Sequence, residues 1–355
     1  MPHALLSPFH GARLVIKHLT VKNFRGYKQL KLSNLKRINV IVGENGSGKT
    51  ALLEALYLAL GAHPELYFRL RQARSLGDRV SIPFTANDIF FDPKSPAILA
   101  AVGTPGITRT TRIYYDATAP ITIPLDQQVQ DTATAPPLAF SWKKGNKIRT
   151  LHVVATKDGK IQVLGGPIDP ISSSFFSGAA AIVPVETANR FQALDEHGNA
   201  KPVIEAMTNI FPMIEDLSIG SYASSPMMYA RLKGQKGKIP LGLVSAGINK
   251  LMAILCAIFD HRGRAVFIDE IENGLYYGVM SEAWASLFKF SQKNHTQLFV
   301  STHSMECLRA LLPVLKKNEA HFCLLRTKYS NGESKIRQIE GTSFEKALEQ
   351  GMEVR

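Results

Sequence analysis

The run Gly43-Glu44-Asn45-Gly46-Ser47-Gly48-Lys49-Thr50 constrains this chain more than any other feature. It matches G-x-x-x-x-G-K-[ST] at every fixed position. A continuous apolar run, 38–42 (INVIV), precedes it, and a stretch with helical periodicity, 50–61, follows. A buried strand, a glycine loop and a helix N-terminus in that order form an anion cradle. The glycines let backbone N–H groups curl around phosphate oxygens, and the helix end adds partial positive charge. The reading assigns a nucleotide phosphate chain to Gly43, Asn45, Gly46, Ser47, Gly48 and Lys49. Lys49 reaches the β- and γ-phosphates, and the Thr50 hydroxyl ligates Mg²⁺.

Three further motifs lie downstream. Ala265-Val266-Phe267-Ile268-Asp269-Glu270 reads as a buried strand ending in two carboxylates. Ligands of such sheets sit at the carboxyl ends of strands. Asp269 suits the Mg²⁺ shell, and Glu270 suits the base that orients water. Leu298-Phe299-Val300-Ser301-Thr302-His303-Ser304 is another apolar strand with a polar end, and His303 is placed to contact the γ-phosphate or the water. Val244-Ser245-Ala246-Gly247-Ile248 opens an apolar helix, with Ser245 as its N-cap.

Composition bounds the rest. The chain has 355 residues, 45% hydrophobic and 20% charged, with a net charge of +13. These values suit a cored globular protein and exclude a disordered one. Residues 1–75 hold 12 Lys/Arg against 3 Glu and no Asp. That favours anionic partners or a solvated basic face. No apolar run approaches the ~20 residues of a membrane span. Cys256, Cys307 and Cys323 lack metal or disulfide spacing, which fits a reducing cytoplasm.

Strands are expected at 13–23, 26–33, 38–42, 215–221, 227–233, 265–269, 296–301, 320–328 and 335–340. Helices are expected at 50–61, 200–213, 246–260, 278–293, 304–317 and 343–350. The division expected is 1–75, with the phosphate loop; 76–199, a β-rich insertion with a mobile loop at 116–137; and 200–355, with the other three motifs. Within the insertion, 138–165 reads as strands with a turn near Asp158-Gly159.

In order, these motifs resemble the ABC-type ATPases. The signature helix matches in part, keeping Ser245 and Gly247 of Leu-Ser-Gly-Gly-Gln. Asn23-Phe24-Arg25-Gly26-Tyr27 resembles the opening of the RecF, SMC and OLD-type branch, which implies that Arg25 lies near the nucleotide. Asp269-Glu270-Ile271-Glu272-Asn273-Gly274-Leu275 is similar to the Asp-Glu-x-Glu-x-x-Leu of OLD-type stand-alone ATPases, with Tyr276-Tyr277 in place of His-Pro. The family's Q-loop glutamine has four candidates, Gln72, Gln127, Gln128 and Gln130.

The resemblance implies an α/β ATPase head. Its sheet would be mainly parallel, flanked by helices, with an antiparallel N-terminal β lobe and a β-rich insertion. It implies ATP hydrolysis with Mg²⁺ and two ATP molecules sandwiched in a homodimer, or within a higher homo-oligomer. Ser245 and Gly247 would then contact the nucleotide of the other subunit. No heptad segment fills the interval from Thr50 to Ser245, which sets aside the coiled-coil ATPases. Only 52 residues follow His303, too few for the OLD nuclease domain. The expectation is a cytoplasmic ATPase that senses or scaffolds for a separately encoded effector, a nuclease or toxin, in antiphage defence. The alternative is a RecF-like DNA-binding ATPase in repair. No membrane partner is expected.

Overall fold

Ile38–Val42 is a strand with every side chain buried, and the layers build outward from it. The structure is a computed structural model. It describes residues 16–60, 63–74, 86–104, 106–119, 136–155, 161–165, 173–260 and 264–349. The first elements are β1 (His18–Phe24), β2 (Tyr27–Leu32), β3 (Ile38–Val42), α1 (Lys49–Leu60) and α2 (Pro64–Ala73). Next come β4 (Ala97–Val102), β5 (Thr108–Tyr115), β6 (Leu138–Lys144), β7 (Lys147–Ala155), β8 (Ile161–Leu164) and β9 (Ser174–Phe176). Then follow α3 (Pro184–Glu196), α4 (Ala200–Ile210), β10 (Ile214–Tyr222), β11 (Ser225–Leu232), β12 (Lys238–Pro240), α5 (Leu241–Val244) and α6 (Ala246–Asp260). The last are β13 (Ala265–Ile268), α7 (Met280–Asn294), β14 (Gln297–Ser301), α8 (Met305–Asn318), β15 (Phe322–Ser330), β16 (Glu333–Glu340) and α9 (Gly341–Glu349).

Three sheets result. The central one has six strands in the order β16-β15-β3-β14-β13-β9. Its pairs are parallel except β15–β16. Its inner strands are buried on both faces, so their sequences run apolar without alternation. Val40, Val42, Val266 and Ile268 face a core shared with the helices from α3 onward. Ile41, Phe267, Phe299 and Leu325 face the opposite core, which α1 fills. Beyond α1 lies a seven-stranded antiparallel sheet, β2-β1-β4-β5-β6-β7-β8. Helix α1 therefore sits between two sheets, and ten of its twelve residues are buried. A helix enclosed on both sides is apolar nearly all round. A third sheet, β10-β11-β12, is antiparallel.

The expected α/β head is present, with two corrections. Parallel pairing is confined to the central sheet. In addition, 76–199 is not one separate insertion. Strand β4 pairs with β1, so β4–β8 extend the N-terminal lobe. The alternation that drives this is Ala97, Leu99 and Ala101, buried under α1. Strand β9 instead joins β13 in the central sheet, with Phe176 in its core. Helix α3 adds Thr187, Ala188, Phe191 and Leu194 on one face. That helical spacing carries small residues, which is why the sequence reading passed over it.

The expected loop at 116–137 falls largely outside the described residues. So do the turn at 158–159, Gly61, and residues 13–15 of the first expected strand. Among the described residues, no helix is long and apolar enough to cross a membrane. Phe267 is fully buried and stacks on Phe299, with Tyr57 against its edge. Phe267→Ala should lower unfolding free energy by about 3–5 kcal/mol, read from urea denaturation.

Candidate active site

The phosphate loop leaves β3 and returns as α1. Gly48 has φ +108°, and a Cβ there would meet the Tyr27 hydroxyl at 2.8 Å and Ser334 Oγ at 2.7 Å. Only glycine fits this position. Ser47 Oγ lies 2.6 Å from Thr327 Oγ1, which donates to the Val42 carbonyl at 3.0 Å. Strand β15 thus pins the loop from beside. Glu44, Asn45 and Gly46 form its exposed crest.

Lys49 is buried, and its Nζ donates to the carbonyls of Gly43 at 2.7 Å and Glu44 at 3.0 Å. Burial pushes its pKa down, opposed by the carboxylates of Asp269, Glu270 and Glu272. The Lys49 ammonium is thus held by neutral backbone carbonyls beneath the exposed crest of the loop.

The carboxylates arrive on the neighbouring strands. Thr50 Oγ1 donates to Asp269 Oδ2 at 2.9 Å. Ser301 Oγ donates to Asp269 Oδ1 and accepts from the Glu270 N–H at 2.9 Å. Thr50, Asp269, Ser301 and Glu270 therefore form one chain of polar contacts across three elements. Glu270 adopts φ +48°. A left-handed backbone at a non-glycine residue costs roughly 1–2 kcal/mol and marks functional positions. Asn273 Nδ2 donates to Glu270 Oε2 at 2.6 Å and to the Gly178 carbonyl at 3.1 Å. His303 sits beside Glu272, whose Oε1 accepts from the His303 N–H at 2.9 Å and lies 3.1 Å from its Nδ1. The His303 side chain is half exposed, so it faces open space rather than the core.

Two of the expected groups stand apart. Arg25 forms an ion pair at 2.6 Å with Glu54, a buried residue of α1 that also binds Arg74 at 2.8 Å. Burial raises the Glu54 pKa, and Arg25 and Arg74 pull it back. Ser245 and Gly247 open α6 on the far side of the carboxylate loop. A Cβ on Gly247 would strike the Gly274 carbonyl, so glycine here permits the loop to pack on the helix. Of the four candidate Q-loop glutamines, Gln72 lies on α2, and the other three lie outside the described residues.

Sequence reasoning missed Lys250, Ser301 and Asn273 as site residues. Lys250 is buried, and its Nζ donates to the carbonyls of Asp269 at 3.2 Å and Glu270 at 2.7 Å. A lysine on the buried face of an apolar helix was the available signal. Ser301 and Asn273 carry no sequence signal beyond adjacency to the motifs.

Thr50 and Asp269 bring a hydroxyl and a carboxylate oxygen together at the cradle. Hard oxygen donors in small number fit Mg²⁺, which takes the rest of its shell from phosphates and water. Among the described residues no group of three or more His, Cys, Asp or Glu could hold a metal ion.

Two family models match the chain. An AAA ATPase domain covers residues 15–98. An AAA domain described as putative AbiEii toxin, Type IV TA system, covers residues 169–309. An ATP/GTP phosphatase of Helicobacter pylori is 24% identical over 346 residues, spanning 87% of this chain and 92% of that protein. The DNA replication and repair protein RecF of Idiomarina loihiensis is 49% identical over 45 residues, 13% of each chain. The fold is similar to an SMC head bound to the C-winged helix domain of ScpA. That structure shows 14% identity and a TM-score of 0.50, covering 94% of this chain and 99% of that one. The class is thus an ATPase head with the SMC-head fold. The two AAA matches fall on the phosphate-loop half and on the segment that carries Asp269 and His303, and the chain is an ATPase.

Burial lowers the Lys250 pKa below its ordinary 10.5. The unfolded chain then binds more protons than the folded one between the lowered value and 10.5, so stability rises with pH in that window. Relative to Lys250→Met, the wild type should gain stability as pH climbs toward about 10.5. Urea unfolding of both proteins at a series of pH values measures the difference.

Proposed function

We propose that ATP and Mg²⁺ close two copies of this chain around nucleotide, and that the closed form controls a separately encoded effector in defence. The observation that carries the catalytic part is the contact chain Thr50–Asp269–Ser301–Glu270 beside a buried Lys49. Nucleotide phosphates take over the Nζ donations that Lys49 now makes to Gly43 and Glu44. Thr50 and Asp269 would hold Mg²⁺, which would supply charge neutralisation to the phosphates. The Glu270 carboxylate, oriented by Asn273, accepts the proton of the attacking water. Lys250 holds the backbone of Asp269 and Glu270 in place. Glu272 fixes His303 toward the γ-phosphate. Arg25, tied to Glu54, braces the side of the helix that carries the phosphate loop.

The dimer reading rests on what the loop after Glu270 exposes. Tyr276 and Tyr277 are 65% and 64% exposed, and their rings are 4.4 Å apart. Leu243, just before Ser245, is 79% exposed. Large apolar groups at that exposure suit contact with a second copy. Ser245 and Gly247 would then face the nucleotide held by that copy. The defence reading draws on the second family model, whose description names a putative toxin of a Type IV TA system. The alternative, a DNA-binding ATPase of repair, is favoured by the 45-residue RecF similarity and by the basic N-terminal lobe.

Lys49→Ala should abolish nucleotide binding in equilibrium dialysis. Glu270→Gln should bind ATP, turn over at least about 10²-fold more slowly and sediment as a dimer with ATP and Mg²⁺. Normal turnover in Glu270→Gln would remove Glu270 as the base. His303→Ala should slow phosphate release by roughly 10²–10⁴-fold with KM little changed.

A further inference from the structure

The strands of the seven-stranded sheet contain nine Lys or Arg residues and no Asp or Glu. One face of this sheet covers α1. The register defines the other. Paired residues of an antiparallel sheet share a face, so Lys31, Thr20, Ala100, Thr110 and Lys143 form one row across it. Lys22, Ile98, Arg112, Ser141 and Thr150 form the next. Lys22, Lys31, Arg112 and Lys143 are exposed. Among the described residues no carboxylate pairs with any of the four. Asp116, just past β5, is taken up by His152 at 3.0 Å.

We infer that this open face docks the phosphate backbone of a nucleic acid duplex. The inference deepens the DNA-binding reading by naming its surface, and it does not rest on the hydrolysis assignment. Lys31 and Lys143 stand four strand spacings apart, about 19 Å. A duplex carries one charge per ~1.7 Å of axis, so the face spans roughly ten phosphates. The hydroxyls of Thr20, Thr110, Ser141 and Thr150 lie among the cations, and hydroxyls with Lys and Arg are the usual phosphate ligands. A single strand would need stacking platforms. The aromatic on this face, Tyr114, is covered by the Arg112 guanidinium, 5.0 Å from its ring. A protein partner would need an apolar centre. The large apolar groups on the two rows and their border are Ile98 and Ile148, on separate strands. Charge and hydroxyls together select the duplex backbone.

The test uses the full chain without nucleotide and a labelled DNA duplex of about 30 base pairs, read by fluorescence anisotropy over a salt series. The wild type should bind with a log–log salt slope near −3.6, about 0.9 for each of four phosphate contacts. Replacing Lys22, Lys31, Arg112 and Lys143 by Gln should weaken binding by at least about tenfold and flatten the slope, each single change removing about 1. A control replaces Lys201, Lys236, Lys289 and Lys317, exposed cations elsewhere, by Gln. It should leave both quantities nearly unchanged. Equal loss in the control would overturn the inference, because net charge alone would then explain binding. Absence of duplex binding by the wild type at low salt would overturn it as well, as would tighter binding to an acidic polypeptide than to the duplex. Unchanged ATP hydrolysis and melting temperature in the fourfold variant would show that its loss is local to the face.

Discussion

Everything at the nucleotide site depends on the in-register parallel pairing of β3, β14 and β13. Val300 lies opposite both Val40 and Ile268. The chain ends of all three strands therefore emerge at one edge. The phosphate loop follows the first, Ser301 ends the second and Asp269 follows the third. A slip of one residue would turn each apolar side chain to the wrong core and separate Thr50 from Asp269. The two cores on either face of the sheet thus enforce the polar geometry at its edge, although neither touches it.

The site concentrates buried charge, and each charge has a defined compensation. Lys49 and Lys250 are satisfied by backbone carbonyls rather than by carboxylates. This leaves Asp269 and Glu270 free for contacts with hydroxyl, amide and incoming groups. Glu54 follows the opposite logic, shared between two arginines. A carboxylate inside an apolar helix would be costly without them. Its pairing ties the Asn23–Tyr27 turn and the end of α2 to the helix that carries the phosphate loop.

Much of the site was legible because its chemistry sits at strand ends, where apolar runs stop abruptly. The strands 38–42, 265–268 and 297–301 announced themselves by burial on both faces. So did Lys49, Asp269, Glu270 and His303, which end or follow them. Less legible were residues whose role depends on distant partners. Ser301 contacts Asp269 only because β13 and β14 pair. Lys250 sits on a helix whose periodicity advertises a core residue, and its two carbonyl partners lie about 20 positions away in sequence. Gly178 lies so close to Glu270 that a Cβ there would strike its side chain, a contact no local pattern predicts. Long-range placement also explains the misjudged 76–199 stretch. Three residues, Ser174–Phe176, cross to the central sheet, and so short a strand leaves no periodicity to read.

Helix α1 has a sheet against each flank, and interiors packed this way are nearly incompressible. A helix with no soft side behaves as a strut. The phosphate loop is therefore carried on a helix gripped along both flanks, and the far side of the seven-stranded sheet bears the exposed cations. The same seven strands thus present an apolar side that encloses the helix and a cationic side that meets solvent.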